Sequence, residues 1–298
     1  MQLLKYHRNR SGFTLVELMI YMCIGIIISC VTYSFLTGAT VLYAKNMSIV
    51  HSHTNMRSVL DRLNNNLQQA NNRAVLMDTS GNAVATGTAA GLYYDRYLGD
   101  PYVITNASGT GLPSSTTTVT VTRSTAALAA PPIPAPGDAI LISNPNGDVR
   151  GLIATSTPGV VDTINKRQPI TLTLTAALGT AVTWTSPEIR TAILVHREAF
   201  LVVPAGDLSE FRFFKDFEPK PVLTNAANYS VISNQLSVLA GETTPFSIDT
   251  LGSDKIVRAS LFARSTEFST YLSTKQAYEF NTFVRLNTVL ASRLRPQN

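Results

Sequence analysis

From Leu18 to Tyr43 the chain runs 26 residues without a charged side chain. As a helix that run is ~39 Å long, enough to cross a hydrocarbon core of about 30 Å with some tilt. It is too long for the apolar core of an ordinary secretory signal, roughly 7–15 residues. Lys5, Arg8 and Arg10 precede it, and Lys45 is the first charge after it. The excess of basic residues before the span places residues 1–12 on the cytoplasmic side and the bulk of the chain outside. Between Arg10 and Lys45 the one charge is Glu17. An acid near the centre of a membrane helix costs roughly 2.5–3.5 kcal/mol on insertion scales, so Glu17 calls for a reason.

A plain signal anchor accounts for the basic flank and the span but not for Glu17. A cleaved secretory signal needs small residues after the apolar core, and "TGAT" (Thr37 to Thr40) is a weak site behind too long a core. A third reading uses every feature. "SGFTLVEL" resembles the processing site of type IV prepilins and of type II secretion pseudopilins. The matching positions are Gly12 before the cut, Phe13 as the new amino terminus and Glu17 as the fifth mature residue.

The resemblance implies that a prepilin peptidase in the inner membrane removes residues 1–12 and that Phe13 is N-methylated. The helix then serves as membrane span and later as filament core. It implies partners among other pilin or pseudopilin subunits, met through that helix. It also gives Glu17 a role, since a carboxylate in apolar surroundings needs a partner and the terminal amine of an adjacent subunit can be one. Snorkelling of Glu17 to the cytoplasmic interface is the alternative, and the two do not exclude each other. One departure stands out. Major pilins usually carry a proline in this helix, and here none occurs from Phe13 to Asp100.

Within the span, Gly25 and Ser29, then Ser34 and Gly38, stand four residues apart. Small residues at that spacing let membrane helices approach closely, though scattered small residues would look the same. The two cysteines, Cys23 and Cys30, are separated by ~10.5 Å of helix, too far for a disulfide within one chain. They read as packing residues. With no other cysteine, a disulfide framework or thiolate metal site is excluded.

The net charge of the 298 residues is +5, and the three basic residues before Gly12 leave the remainder close to neutral. The pI of about 9.2 is therefore no argument for nucleic-acid binding. The late arginines Arg258, Arg264, Arg285, Arg293 and Arg295 read as solvated strand edges rather than a phosphate-binding surface.

After the span, Met56, Leu60, Leu63, Leu67, Ala70 and Ala74 form one apolar stripe at helical spacing. Arg57, Asp61, Asn65, Gln68 and Asn72 lie off it. With no Gly or Pro from Lys45 to Met77, the helix is expected to run on from Phe13 to about residue 77, roughly 65 residues or ~100 Å, with Gly81 ending it. The expected divisions are 1–12 as leader, 13–44 as span and filament-core helix, 45–78 as its amphipathic extension and 79–298 as a β-rich head.

In the head, "SSTTTVTVTRST" (Ser114 to Thr125) alternates as a strand does, and "PPIPAP" (Pro131 to Pro136) reads as a stiff loop. "DAILISNPNGDVRGLIATS" reads as a hairpin, "PITLTLT" as a further strand, and "RTAILVHREAFLVV" with "EFRFFKDF" as the next pair. Val257, Ala259, Leu261 and Ala263 alternate with outward positions, as do Tyr278, Phe280, Val284 and Leu286. Residues 219–253 show little periodicity and read as a long connection. The fold class is thus α+β, pilin-like: a long amino-terminal helix followed by an antiparallel β-rich head. "RSVLDRLNNNLQQA" and "EFNTFVRL" look like the W-type minor pilins and the J-type pseudopilins, which sit at or near filament tips and help start assembly.

Little else points to chemistry. His7 lies in the leader, His51 and His53 point different ways on a helix, and His196 in "LVHRE" has no visible partner. Asp207 with Glu210 and Asp216 with Glu218 read as turn residues. No G-x-S-x-G, calcium loop or glycine-rich phosphate loop occurs, so no catalytic residue, metal or cofactor is expected. The expected function is a structural minor pilin of a type IV pilus. A secretion pseudopilin is the nearer rival, and a membrane-anchored periplasmic binding module or enzyme the more distant one.

Overall fold

The computed structural model describes residues 14–70, 74–85, 87–105, 111–126, 131–144, 147–184, 190–206, 208–237, 244–251, 254–264 and 277–285. One helix, α1 (Leu15–Gln68), is followed by seventeen described strands, all of whose described pairings are antiparallel. The chain divides into two compact units, with the boundary inside α1 between His51 and Ser52.

In the first unit, Leu15–Ala44 has a mean hydropathy of 2.3 and is long and apolar enough to cross a membrane. Its large side chains, from Leu15 to Tyr43, are exposed. The hydroxyls of Ser29, Thr32, Thr37 and Thr40 donate to carbonyls one turn back, at Gly25 (2.8 Å), Ile28 (2.8 Å), Tyr33 (2.9 Å) and Leu36 (2.6 Å). All four hydroxyls thus find an acceptor within the apolar segment itself.

In the second unit, the last turns of α1 bury Met56, Val59, Leu63 and Leu67 completely, with Leu60 half-buried beside them. The expected stripe holds except that Val59 takes the central place that the spacing gave to Leu60. Arg57, Asp61, Asn65 and Gln68 are exposed, as expected. The stripe meets a core of Leu92, Tyr94, Phe200, Phe211, Phe246, Val257 and others. The stacked rings of Phe200 and Phe211 lie 5.3 Å apart within it, and the Arg62 guanidinium caps Phe213 at 5.0 Å.

The helix ends at Gln68, short of the expected residue 77 or 78. No glycine or proline stops it; the sheet does. The Gln69 carbonyl accepts from Tyr97 N, Ala70 bridges to Arg96, and Val75–Met77 (β1) pairs with Ala83–Val84 (β2) and Gly91–Tyr97 (β4). Ala70 and Ala74 are buried, as the stripe implied, but against strands and not as part of a helix. The second unit thus begins within α1, ahead of the expected start of the head at residue 79.

The remaining strands are Thr88–Ala89 (β3), Tyr102–Ile104 (β5), Gly111–Leu112 (β6), Thr118–Ser124 (β7), Ala139–Ile142 (β8), Val149–Pro158 (β9), Arg167–Leu174 (β10) and Val182–Thr183 (β11). Then come Thr191–Ala205 (β12), Leu208–Phe214 (β13), Ser230–Ser237 (β14), Phe246–Leu251 (β15), Asp254–Arg264 (β16) and Ala277–Arg285 (β17). The expected hairpins β8–β9 and β12–β13 are present, and "PPIPAP" is irregular. Residues 219–253 are not a bare connection: they hold β14, β15 and a 3-10 turn at Ala226–Asn228. β14 pairs with β13 and β16, and β15 with β16 and β3, so these strands are set by pairing rather than by an alternation visible in the sequence. The expected alternation near the end is met at Val257, Ala259 and Leu261, which are buried; Leu286 lies outside the described residues.

β12 organises the unit. On one edge it pairs with β5 at Thr191–Ala192 and β4 at Val195–Leu201; on the other it pairs with β8 at Ala192–Val195 and β13 at Ala199–Ala205. Its carboxyl-terminal half belongs to the sheet that carries α1. Its amino-terminal half closes a ring, β12–β5–β7–β10–β9–β8 and back to β12. That ring is a six-stranded antiparallel barrel filled by side chains, among them Val119, Val121, Ile140, Ile142, Ile170, Leu172 and Leu194. β10 shows the alternation plainly: Gln168, Ile170, Leu172 and Leu174 point in and Arg167, Pro169, Thr171 and Thr173 point out. Trp184 packs with the same core and donates from Nε1 to the Ser143 carbonyl at 3.1 Å.

Candidate functional site

The first candidate is the start of α1. Thr14 is the first described residue, and Gly12 and Phe13, the expected cleavage and methylation positions, lie outside the described residues. Thr14 caps the helix: Glu17 N donates to Thr14 Oγ1 at 3.3 Å, and Glu17 Oε2 accepts from Thr14 N and Thr14 Oγ1, each at 3.4 Å. This is the reciprocal arrangement of a capping box, Thr-x-x-Glu, and it sets the carboxylate at the positive end of the helix dipole. The Thr-x-x-Glu spacing in "TLVE" is the sequence signal of this cap, a local role for Glu17 beside those expected from the membrane and from assembly. Gly25, Ser29, Ser34 and Gly38 all lie exposed on α1. A Cβ added at Gly25 or Gly38 would meet nothing within 4 Å, and the Ser29 hydroxyl bonds the Gly25 carbonyl; the Gly25–Ser29 and Ser34–Gly38 pairs stand on opposite sides of the helix. Cys23 and Cys30 are free and exposed.

The second candidate is the polar triplet His196-Arg197-Glu198 in the middle of β12, where it passes from barrel to sheet. Glu198 faces α1. Its carboxylate is 2 % exposed, accepts from Tyr94 Oη at 2.8 Å and meets Arg96 Nε at 2.9 Å. Burial first, and then the Glu198 charge, push the Tyr94 hydroxyl well above its ordinary pKa, so it remains a donor. Asn66 of α1 hydrogen-bonds the same hydroxyl.

Arg197 points to the other face. It donates to Asp95 from Nε at 2.9 Å, reaches Glu218 from Nη1 at 3.2 Å and lies over the Tyr93 ring at 4.9 Å. Arg150 of β9 donates from Nε to Asp95 at 3.2 Å and from Nη2 to Glu218, which closes a four-membered ring of two acids and two guanidinium groups. Burial opposes the charge on Arg197, but Asp95 and Glu218 outweigh it and hold its pKa above the ordinary value. His196 is tied between Asp138, just before β8, and the Lys215–Asp216 segment that follows β13. The expectation of a partnerless His196 is thus overturned, and Glu218 is no mere turn residue. The legible signal was three polar residues interrupting a long apolar strand; the partners lie up to about a hundred residues away in sequence and could not be read from it.

These side chains bind one another. Among the described residues, no group of three or more His, Cys, Asp or Glu could hold a metal ion. Arg258, one of the late arginines, stands 3.7 Å from Asp249 across a strand pair; Arg293 and Arg295 lie outside the described residues. The chain matches no protein-family model, no curated protein and no solved structure.

Proposed function

We propose that the chain is a structural subunit of a type IV filament, a minor pilin anchored in the inner membrane by α1 before assembly, with its β-rich unit outside. Processing occurs between Gly12 and Phe13, and Glu17 sets axial register by pairing with the terminal amine of a neighbouring subunit. The observation that carries this reading is the position of Glu17: the single charge in the exposed Leu15–Ala44 stretch of α1, in the first turn of a helix that begins two residues after the Gly12–Phe13 pair. The order of one long apolar helix followed by an antiparallel β-rich unit supports a pilin-like layout. Side chains that satisfy one another throughout the β12 triplet support a structural role for the second unit over a catalytic one.

The test is the intact mass and amino-terminal sequence of the protein, expressed with and without a prepilin peptidase. Loss of Met1 to Gly12 with a methylated Phe13 is the expected result. An unprocessed chain, or a cut near Thr40, would overturn the reading. Shed filaments containing the protein mark a surface pilus; loss of secreted enzymes on deletion marks a pseudopilus.

A further inference from the structure

The barrel and the α1-bearing sheet share β12, and on one edge that strand is bare of strand partners at residues 196–198, between β8 and β13. His196 fills this gap. Nδ1 lies 2.7 Å from Asp138 Oδ1 on the barrel side; Nε2 lies 2.8 Å from the Lys215 carbonyl and 2.8 Å from Asp216 Oδ1 on the sheet side. Every partner is an acceptor. A carbonyl cannot donate, so Nε2 must carry a proton, and the Nδ1 to Asp138 line then needs a second one. Without it, a ring lone pair faces a carboxylate oxygen at hydrogen-bond distance. Asp138 is held in place, since its Oδ2 accepts from Ala135 N at 2.8 Å.

We infer that His196 is a protonation-dependent clasp that locks the barrel to the α1-bearing sheet and lets one edge of that seam open when the ring loses its second proton. The other charged groups around it do not compete. Arg96, opposite His196 on β4, is engaged by Glu198; Arg197 is engaged by Asp95 and Glu218; Lys215 contributes its carbonyl. The Arg150–Asp95–Arg197–Glu218 ring also joins barrel to sheet, and it contains no imidazole. Glu218 lies two residues beyond Asp216, and Phe217 N donates to the Arg197 carbonyl at 2.9 Å, so the ring bounds the opening to the contact that His196 makes.

The Asp138 hydrogen bond, partly opposed by burial, raises the His196 pKa above its ordinary 6.5. The stabilisation is thus complete below the unfolded value and is lost as pH rises through the higher folded value. The clasp is closed in acid and opens towards alkali. The proposal does not depend on the filament reading.

The test is hydrogen exchange of the full chain in detergent micelles from about pH 5.5 to about pH 9, corrected for the intrinsic rate, with the His196 ring titration followed by NMR. Peptides covering residues 136–142 and 213–219 should exchange roughly tenfold faster at the alkaline end, with a midpoint matching the ring titration. His196→Gln should leave both peptides open at every pH. Asp216→Asn, at an exposed position where refolding is not at risk, should move the midpoint to lower pH. Protection that does not change with pH, a midpoint unmoved by Asp216→Asn, or a wild-type profile in His196→Gln would each overturn the clasp.

Discussion

Arg197 donates from Nε to Oδ1 of Asp95 at 2.9 Å, across the register pair that joins β12 to β4, and the carboxylate it meets is 1 % exposed. Two guanidinium groups share that carboxylate. Removing one partner of a buried ion pair leaves charge uncompensated, at a cost of roughly 3–5 kcal/mol. Asp95→Ala should lower the urea stability of the second unit by about that much. Arg57→Ala, which breaks an exposed 4.0 Å pair with Asp61 on α1, should change it by less than about 0.5 kcal/mol. Equal effects for the two variants would mean that the buried ring contributes no more than a surface pair.

Glu17 has two readings that one substitution separates. Gln serves as well as Glu at the third helical position of a capping box but carries no charge. If capping is the whole role, Glu17→Gln should enter filaments as the wild type does and only Glu17→Ala should fail. Pairing with a terminal amine predicts that both variants are cleaved and that both are excluded from filaments. Co-purification with sheared filaments decides between them, and the second outcome is expected.

The apolar side chains of α1 divide by unit. Leu63→Ala removes a completely buried side chain from the helix–sheet core and should destabilise the second unit by roughly 2–5 kcal/mol. Leu18→Ala alters an exposed side chain in the apolar run and should leave the unfolding midpoint unchanged. Circular dichroism melts of both variants in the same detergent would check this.

Acid should loosen the β9–β10 connection. Asp162 accepts from Ile164 N and Asn165 N at 3.0 Å each and from Asn165 Nδ2 at 2.7 Å. The Asn165 hydrogen bonds hold its pKa below the ordinary carboxylate value. A depressed folded pKa means that the contribution is present above about pH 3.8 and is lost as pH falls through the folded value. Amide exchange at Ile164 and Asn165 should therefore accelerate in acid in the wild type. In Asp162→Ala it should be fast throughout, and a wild type whose exchange there ignores acid would contradict the assignment.

Gly91 is where β4 is pressed between β1 and β12. A Cβ there would stand 2.5 Å from the Phe200 carbonyl oxygen and 2.6 Å from Met77 Cε. Overpacking of this kind costs typically 1–3 kcal/mol. Gly91→Ala should destabilise the second unit to urea by about that amount through contact, whereas Gly147→Ser, at a position with nothing within 4 Å of an added Cβ, should show only the backbone strain of φ 114°.

The sequence by itself determined what depends on neighbours along the chain. An uncharged run of 26 residues defines a membrane-length helix, because charge and length alone decide whether a helix can sit in hydrocarbon. Alternation in "PITLTLT" and in Val257 to Leu261 marks strands with one covered face, and Asn-Pro-Asn-Gly marks the hairpin between β8 and β9. Tertiary structure decided the rest. The helix stops at Gln68 because β4 claims the carbonyl of Gln69, a competition between distant segments that no residue near 68 announces. The barrel closes because β8 and β5 both return to Ala192 of β12, and ring closure is a property of pairing, not of any strand's pattern. His196, Arg197 and Glu198 look like ordinary polar interruptions until the fold supplies Asp138, Asp95 and Arg96. Charge pairing acts over a few ångströms of space, and sequence separation conceals it.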